Sequence, residues 1–164
     1  MVVRRARPSD AAAIAAVHTR GWQGAYEHVF GAENLRSIDT ERRARWWERA
    51  VFEDLETVLV AEDDGTLVGF ASVGASRDED AEGELYAIYA LPERWGTGVG
   101  TALMAAGVDA LRTAGYRDAV LYVLEDNPRA RRFYEREGWA LDGTTKSDEF
   151  FGVRVNEVRY RRSL

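Results

Sequence analysis

Residues 84 to 101 read Glu84-Leu-Tyr-Ala-Ile-Tyr-Ala-Leu-Pro-Glu-Arg-Trp-Gly-Thr-Gly-Val-Gly-Thr101. The first part predicts a β-strand from Glu84 to Leu91, stopped at Pro92 because proline has no N–H to give to a ladder. Three alternate glycines then lead into a helix from about Gly98 to Thr113, where Val99, Leu103, Ala106 and Ala110 recur at helical spacing. Glycines let a backbone approach a bulky anion closely. The unpaired N–H groups of a helix start, reinforced by the helix dipole, point at that anion. The junction is therefore expected to be a pyrophosphate cradle in which Gly96, Thr97, Gly98, Val99, Gly100 and Thr101 act mainly through main-chain N–H groups. An ordinary glycine-rich turn is the plain alternative.

The residues after the glycines constrain the type of cradle. A nucleoside-triphosphate loop requires Gly-Lys-Ser/Thr, whereas Gly100 is succeeded by Thr101 and Ala102. The dinucleotide fingerprint spaces its last two glycines three apart and closes the next strand with an acidic residue. Here the glycines alternate, and Asp118 precedes the next strand instead of ending it.

A second segment decides the matter. Asp126-Asn-Pro-Arg-Ala-Arg-Arg-Phe-Tyr-Glu-Arg-Glu-Gly-Trp139 lies downstream of the cradle, and together the two resemble the GNAT-type N-acetyltransferase superfamily. Its pattern is Gln/Arg-x-x-Gly-x-Gly/Ala, then Asn-x-x-Ala-x-x-Phe-Tyr-x-x-x-Gly-Phe/Trp. The second half is met by Asn127, Ala130, Phe133, Tyr134, Gly138 and Trp139. In the first half Gly98 and Gly100 are present, but Trp95 stands at the Gln/Arg position, which removes a polar side chain and leaves the backbone donors intact. The resemblance covers Glu84 to Trp139.

Composition bounds the alternatives. A chain of 164 residues, 46% hydrophobic and 30% charged, is ordinary for a globular protein and fits one domain over residues 1–164. There is no cysteine, which excludes disulfides, thiolate metal sites and a cysteine nucleophile. Only His18 and His28 supply imidazoles, so no metal centre is expected. A net charge of −6 argues against a nucleic-acid partner. No apolar run is long enough for a membrane span, and a cytoplasmic location is expected.

Outward from the cradle, Val2 to Arg7 reads as a first strand and Pro8-Ser9-Asp10 starts a helix running to about Tyr26. A second helix is expected from Asp39 to about Phe52. Thr57 to Ala61 and Thr66 to Val73 form a hairpin around the turn Glu62-Asp63-Asp64-Gly65. Ala119 to Leu124 reads as a buried strand, Asn127 to about Glu137 as the last helix, and Trp139 to Thr144 and Gly152 to Tyr160 as closing strands. The order βααβββαβαββ describes a mixed α/β fold with a mixed sheet, matching that of the resembled superfamily.

The resemblance implies acetyl-CoA as co-substrate, bound where the strand holding Ile88, Tyr89 and Ala90 splays from the strand of Val120 to Leu124. Ile88, Tyr89 and Ala90 would then offer unpaired backbone groups to the pantetheine. Asn127 would contact the pantetheine arm, and the Tyr134 hydroxyl would protonate the departing thiolate. These two lie seven residues apart, on nearly the same helix face. A helix cap for Asn127 and a core aromatic for Tyr134 are the plain alternatives. The function implied is transfer of acetyl to a primary amine by direct attack in a ternary complex, the acceptor being a small-molecule or protein amine. A non-catalytic acyl-CoA sensor is the alternative.

Proton chemistry asks for a base. An alkyl-ammonium loses its proton near pH about 10.4, so a general base is expected in the acceptor pocket. Glu84 leads, because Leu85, Ile88 and Leu91 beyond it read as buried and would desolvate a carboxylate there; a solvated strand end is the alternative. Tyr86, two residues on, and Tyr122 on the adjoining strand are further candidates. Trp22 and Tyr26 either form an aromatic wall of the acceptor site or close the core. Asp78, Glu79, Asp80, Glu82 and Glu84 form an acidic cluster that either draws in a cationic amine or is simply a solvated loop. Trp46 and Trp47 are adjacent and cannot share a face: one is expected inside, the other on the pocket or at a homodimer contact.

Overall fold

A computed structural model describes all residues from Met1 to Leu164. Seven strands make one mixed sheet in the order β1-β2-β3-β4-β5-β7-β6. They are β1 (Val2–Arg5), β2 (Thr57–Asp63), β3 (Thr66–Ala75), β4 (Gly83–Ala90), β5 (Asp118–Leu124), β6 (Ala140–Phe150) and β7 (Val153–Ser163). Five helices cover it: α1 (Ala11–Phe30), α2 (Ala32–Arg36), α3 (Thr40–Phe52), α4 (Val99–Thr113) and α5 (Pro128–Arg136). No helix is long and apolar enough to cross a membrane.

The sheet separates two cores. On one face, Ile14, Ala15 and Val17 of α1 and Trp47 and Ala50 of α3 pack on Val58, Val60 and Phe70. On the other, Val99, Leu103, Met104, Val108 and Leu111 of α4 and Tyr134 of α5 pack on Ala71, Val73, Leu85 and Leu121. Alternation along β2 and β3 feeds both cores, as expected of strands sandwiched between helical layers. Gly21 lets α1 lie close to the sheet, since a Cβ there would come within 2.8 Å of the Tyr89 ring.

Local chemistry explains where the elements end. Helix α1 continues past Tyr26 to Phe30, because nothing stops it before Gly31, which takes φ of 77°. Asp39 caps α3 by accepting from the Arg42 N–H at 2.9 Å. The β2–β3 hairpin turns through Asp64 and Gly65, both with positive φ, as a two-residue hairpin requires. Two features depart from the expected elements: the short helix α2, and β6, which extends through Phe150 with an irregularity between Leu141 and Thr145.

The pairing of β4 matters most for function. On its β3 side the antiparallel ladder is long, running from Gly69↔Ala90 to Ala75↔Gly83, with one extra β4 residue at Tyr86 where Ser72 faces Ala87 and Val73 faces Leu85. On its β5 side the parallel ladder is only two rungs, Gly83↔Ala119 and Glu84↔Val120. Beyond them the strands part, and residues 86 to 90 are half-buried although they sit in the middle of the sheet.

Candidate functional site

Where β4 and β5 part, a cleft of about 1210 Å³ opens, walled by β4, the start of α4, α5, and the aromatic side of α1 and α3. Ile88, Tyr89 and Ala90 line it opposite Asn127 and Tyr134. The expected splay is therefore present. The main-chain groups that β4 turns toward β5 after Glu84 have no strand partner; the Ala90 carbonyl accepts instead from the indole N–H of Trp95 at 3.1 Å.

At the end of β4 the chain passes Pro92 and turns through Gly96 (φ 75°) and Gly98 (φ 92°) into α4. The first N–H of this region bound within the helix is that of Ala102, to the Gly98 carbonyl at 3.0 Å. The N–H groups of Gly96, Gly98, Val99, Gly100 and Thr101 have no protein acceptor. Such a cluster of donors at a 15-residue helix start suits a diphosphate. Thr97 departs from expectation: its N–H points back to the Arg94 carbonyl at 3.4 Å and its hydroxyl to the same oxygen at 2.7 Å. The side chain of Val99 is buried in the core, and the Thr101 hydroxyl donates to Glu137 at 2.8 Å, so each has only its main-chain N–H to offer. Arg94 adds no free charge, being paired with Asp63.

Asn127 caps a helix and also reaches the cleft. Its Oδ1 caps α5 by accepting from the Ala130 N–H at 3.1 Å, while its Nδ2 donates to the Tyr26 hydroxyl at 3.3 Å, at the edge of the cleft. Tyr134 is buried, with its hydroxyl on the cleft and no hydrogen-bond partner within the protein; burial pushes that hydroxyl well above the usual phenol range. Tyr26 is buried and Trp22 half-buried; both line the cleft within an aromatic cluster that includes Phe30 and Phe150. The two residues thus pack in the core while lining the cleft. The tryptophan pair divides, with Trp47 buried and Trp46 51% exposed on the cleft rim.

Glu84 requires a correction. It is 1% exposed and absent from the cleft lining, and both its oxygens are held by Arg77, which donates from its main-chain N–H at 2.9 Å and its guanidinium at 2.5 Å. A carboxylate so held serves as the counter-ion of Arg77, outside the cleft lining. The Tyr86 hydroxyl does line the cleft but donates to the Ala75 carbonyl, and Tyr122 donates to Asp78 at 2.5 Å. Burial raises both phenols to about 12. The acidic loop is neutralised rather than free: Asp78 and Asp80 pair with Arg159, and Glu82 with Arg117.

Of the two carboxylates that line the cleft, Glu157 pairs with Lys146 at 3.5 Å, and the other is Glu56, just before β2. It accepts from the Ser72 hydroxyl, and burial raises its pKa to about 7. Sequence reasoning missed it, because its surroundings come from three separated segments. Arg43 was missed as well; Arg129 lies 3.5 Å from the centre of the Trp95 ring across the cleft mouth.

Comparisons with known proteins place this geometry. The family model described as acetyltransferase (GNAT) family matches residues 19–139. The uncharacterized N-acetyltransferase YuaI of Bacillus subtilis is 37% identical over 164 residues, covering 96% of this chain and 90% of that protein. A mycothiol acetyltransferase of Acidimicrobium ferrooxidans is 40% identical over 114 residues, 68% of this chain but 35% of the enzyme, so the match spans about a third of it. Among solved structures, a ribosomal-protein-alanine N-acetyltransferase from Brucella melitensis aligns over 100% of both chains with TM-score 0.78 at 24% identity. The PaiA N-acetyltransferase of Thermoplasma acidophilum, solved with coenzyme A, aligns over 99% of this chain and 98% of its own with TM-score 0.75 at 20% identity.

Proposed function

We propose that this chain, which belongs to the acetyltransferase (GNAT) family and is an N-acetyltransferase, moves the acetyl group of acetyl-CoA to a primary amine by direct attack within a ternary complex. The observation that carries the reading is the two-rung β4–β5 ladder, opening toward a cradle of five free N–H groups. An extended ligand with a diphosphate at one end fits that layout. The cradle would take the diphosphate through Gly96, Gly98, Val99, Gly100 and Thr101, and the open edge of β4 from Ile88 to Ala90 would take the pantetheine arm beside Asn127.

When bound, acetyl-CoA supplies an acetyl group activated as a thioester. The chain's own residues do the rest. Main-chain N–H groups on the open edge of β4 stabilise negative charge on the carbonyl oxygen. Tyr134 holds a proton on a hydroxyl that nothing else in the protein uses, ready for the leaving sulfur. Glu56, raised to about 7 by burial, is poised to receive the amine proton directly or through water. With no cysteine in the chain, acetyl-cysteine plays no part.

The test is release of free thiol from acetyl-CoA on addition of a mixed panel of primary amines. Amine-dependent release is expected. Tight coenzyme binding with no release across a broad panel would overturn catalysis and leave an acyl-CoA sensor.

A further inference from the structure

Resting on that reading, we propose that the acceptor is an amino acid or close analogue, a primary amine that also carries a carboxylate, and that Arg43 binds the carboxylate. Six guanidiniums line the cleft, and pairing together with burial separates them: Arg132 and Arg136 stand exposed on α5, where water solvates their charge. Arg77 is matched by Glu84 and Arg94 by Asp63. Arg129 lies over Trp95 at the mouth, on the coenzyme side. Arg43 has no carboxylate partner: its one hydrogen bond within the protein is to the Thr19 hydroxyl at 3.5 Å, and it lies 5.4 Å from the centre of the Trp22 ring.

A guanidinium keeps its charge even when half-buried, so withdrawing it from water without a counter-ion is unfavourable. Burial lowers its pKa, the direction expected of an uncompensated cation. The cluster around it offers no anion. His18 is held neutral by burial, its pKa pushed down to about 3. The missing partner is best supplied by a ligand, and the planar fork of arginine is shaped for a carboxylate.

The diphosphate of the coenzyme cannot be that partner. Arg43 projects from α3, which packs with α1 on one face of the sheet, whereas the cradle begins α4 on the opposite face. The same side of the cleft holds Glu56, placed for the amine, and the rings of Trp22, Trp46 and Phe150, which suit an apolar body. A molecule joining ammonium, carboxylate and apolar side chain satisfies all three together.

Matched pairs test this: phenylalanine against phenethylamine, and tryptophan against tryptamine. Binding to the CoA-saturated protein is measured by calorimetry, and kcat/KM by thiol release. The acid of each pair is expected to bind about tenfold or more tighter, because a site built to pair a buried group rejects the analogue lacking it. In Arg43→Met, which keeps an apolar stem on Trp22, that preference should vanish through loss of the acid's affinity, with the amine unchanged; Arg43→Lys should recover part of it. Equal binding of acid and amine by the parent protein, equal weakening of both in Arg43→Met, or binding of neither acid would overturn the proposal. Carboxylate-dependent binding without thiol release from any pair would instead support this assignment and overturn acetyl transfer.

Discussion

The guanidinium of Arg129 lies 3.5 Å from the centre of the Trp95 indole, joining the first turn of α5 to the loop before α4 across the cleft mouth. The same indole donates to the Ala90 carbonyl, so one side chain both closes the mouth and ends the open edge of β4. Exposed and unpaired, Arg129 holds at most a cation–π gain of about 1 kcal/mol, so its loss should cost little stability. Arg129→Ala is expected to leave Tm nearly unchanged and to weaken CoA binding about tenfold. Trp95→Ala, which also frees a carbonyl, should lower Tm by about 4–8 °C for a loss of about 2 kcal/mol. Calorimetry and thermal unfolding on the same preparations check both.

Gly98 has φ of 92° with nothing within 4 Å of where a Cβ would stand. Substitution there is opposed by backbone conformation alone, at about 1–2 kcal/mol. Gly98→Ala should lower Tm modestly and reduce CoA affinity about tenfold as the donors lose alignment. Thr97→Ala, at a residue whose N–H and hydroxyl both face Arg94, should leave affinity unchanged. Equal losses in the two variants would show that the loop's shape is unimportant.

Tyr134→Phe keeps the ring and removes a hydroxyl without a protein partner. Stability and CoA affinity are expected to hold, while kcat falls about tenfold to a hundredfold, toward the lower end of general-acid effects because a thiolate already leaves readily. Stopped-flow or steady-state thiol release reports kcat; an unchanged value would remove the proton-donor role.

Glu56 gives two pH signatures. As a base with pKa about 7, it should make the rate climb as pH rises through 7, and Glu56→Gln should flatten that limb. Its carboxyl is raised above the unfolded value. The resulting penalty is absent below pH about 4.5, grows as pH rises, and is complete above about 7. Tm of Glu56→Gln should thus exceed that of the parent at pH 8 and match it at pH 4.5. Identical curves for both proteins would place the base elsewhere.

His18 acts in the opposite sense. It is enclosed by Trp22, Trp47, Phe70 and Tyr89 and pushed down to about 3 by burial. The unfolded chain takes up its proton below about pH 6.5 while the native one does not. That contribution to stability is complete above 6.5 and is lost progressively toward pH 3. His18→Phe should reduce the fall of Tm between pH 7 and 5 compared with the parent, whatever it does to Tm at pH 8.

How much the chain alone could reveal depends on the distance over which each feature is encoded. The cradle and the cap of α5 are local: glycines at 96 and 98 and the asparagine at 127 act within their own turns. The strands on both sides of the core announce themselves by apolar runs. Strand β6 does so only in its first half, read from Trp139 to Thr144; its continuation to Phe150 is hidden because nearly every residue from Ala140 to Glu149 is exposed and carries no apolar pattern. Glu84 illustrates the harder case. Its burial was foreseeable from its neighbours, but Arg77 reaches it from a loop, and that pairing turns a candidate base into a counter-ion. Glu56 owes its character to burial beside Ser72 of β3, a meeting that only the fold arranges.

The two rungs between Gly83–Glu84 and Ala119–Val120 make the enzyme a sheet with a built-in berth for one more backbone-like strand. Grip on a carrier that fills this slot is written in peptide groups, which every substitution except proline preserves. Side chains along α1 and α3 are then free to drift without endangering that grip. A lineage built on such a seam can exchange one acceptor for another while its coenzyme stays the same.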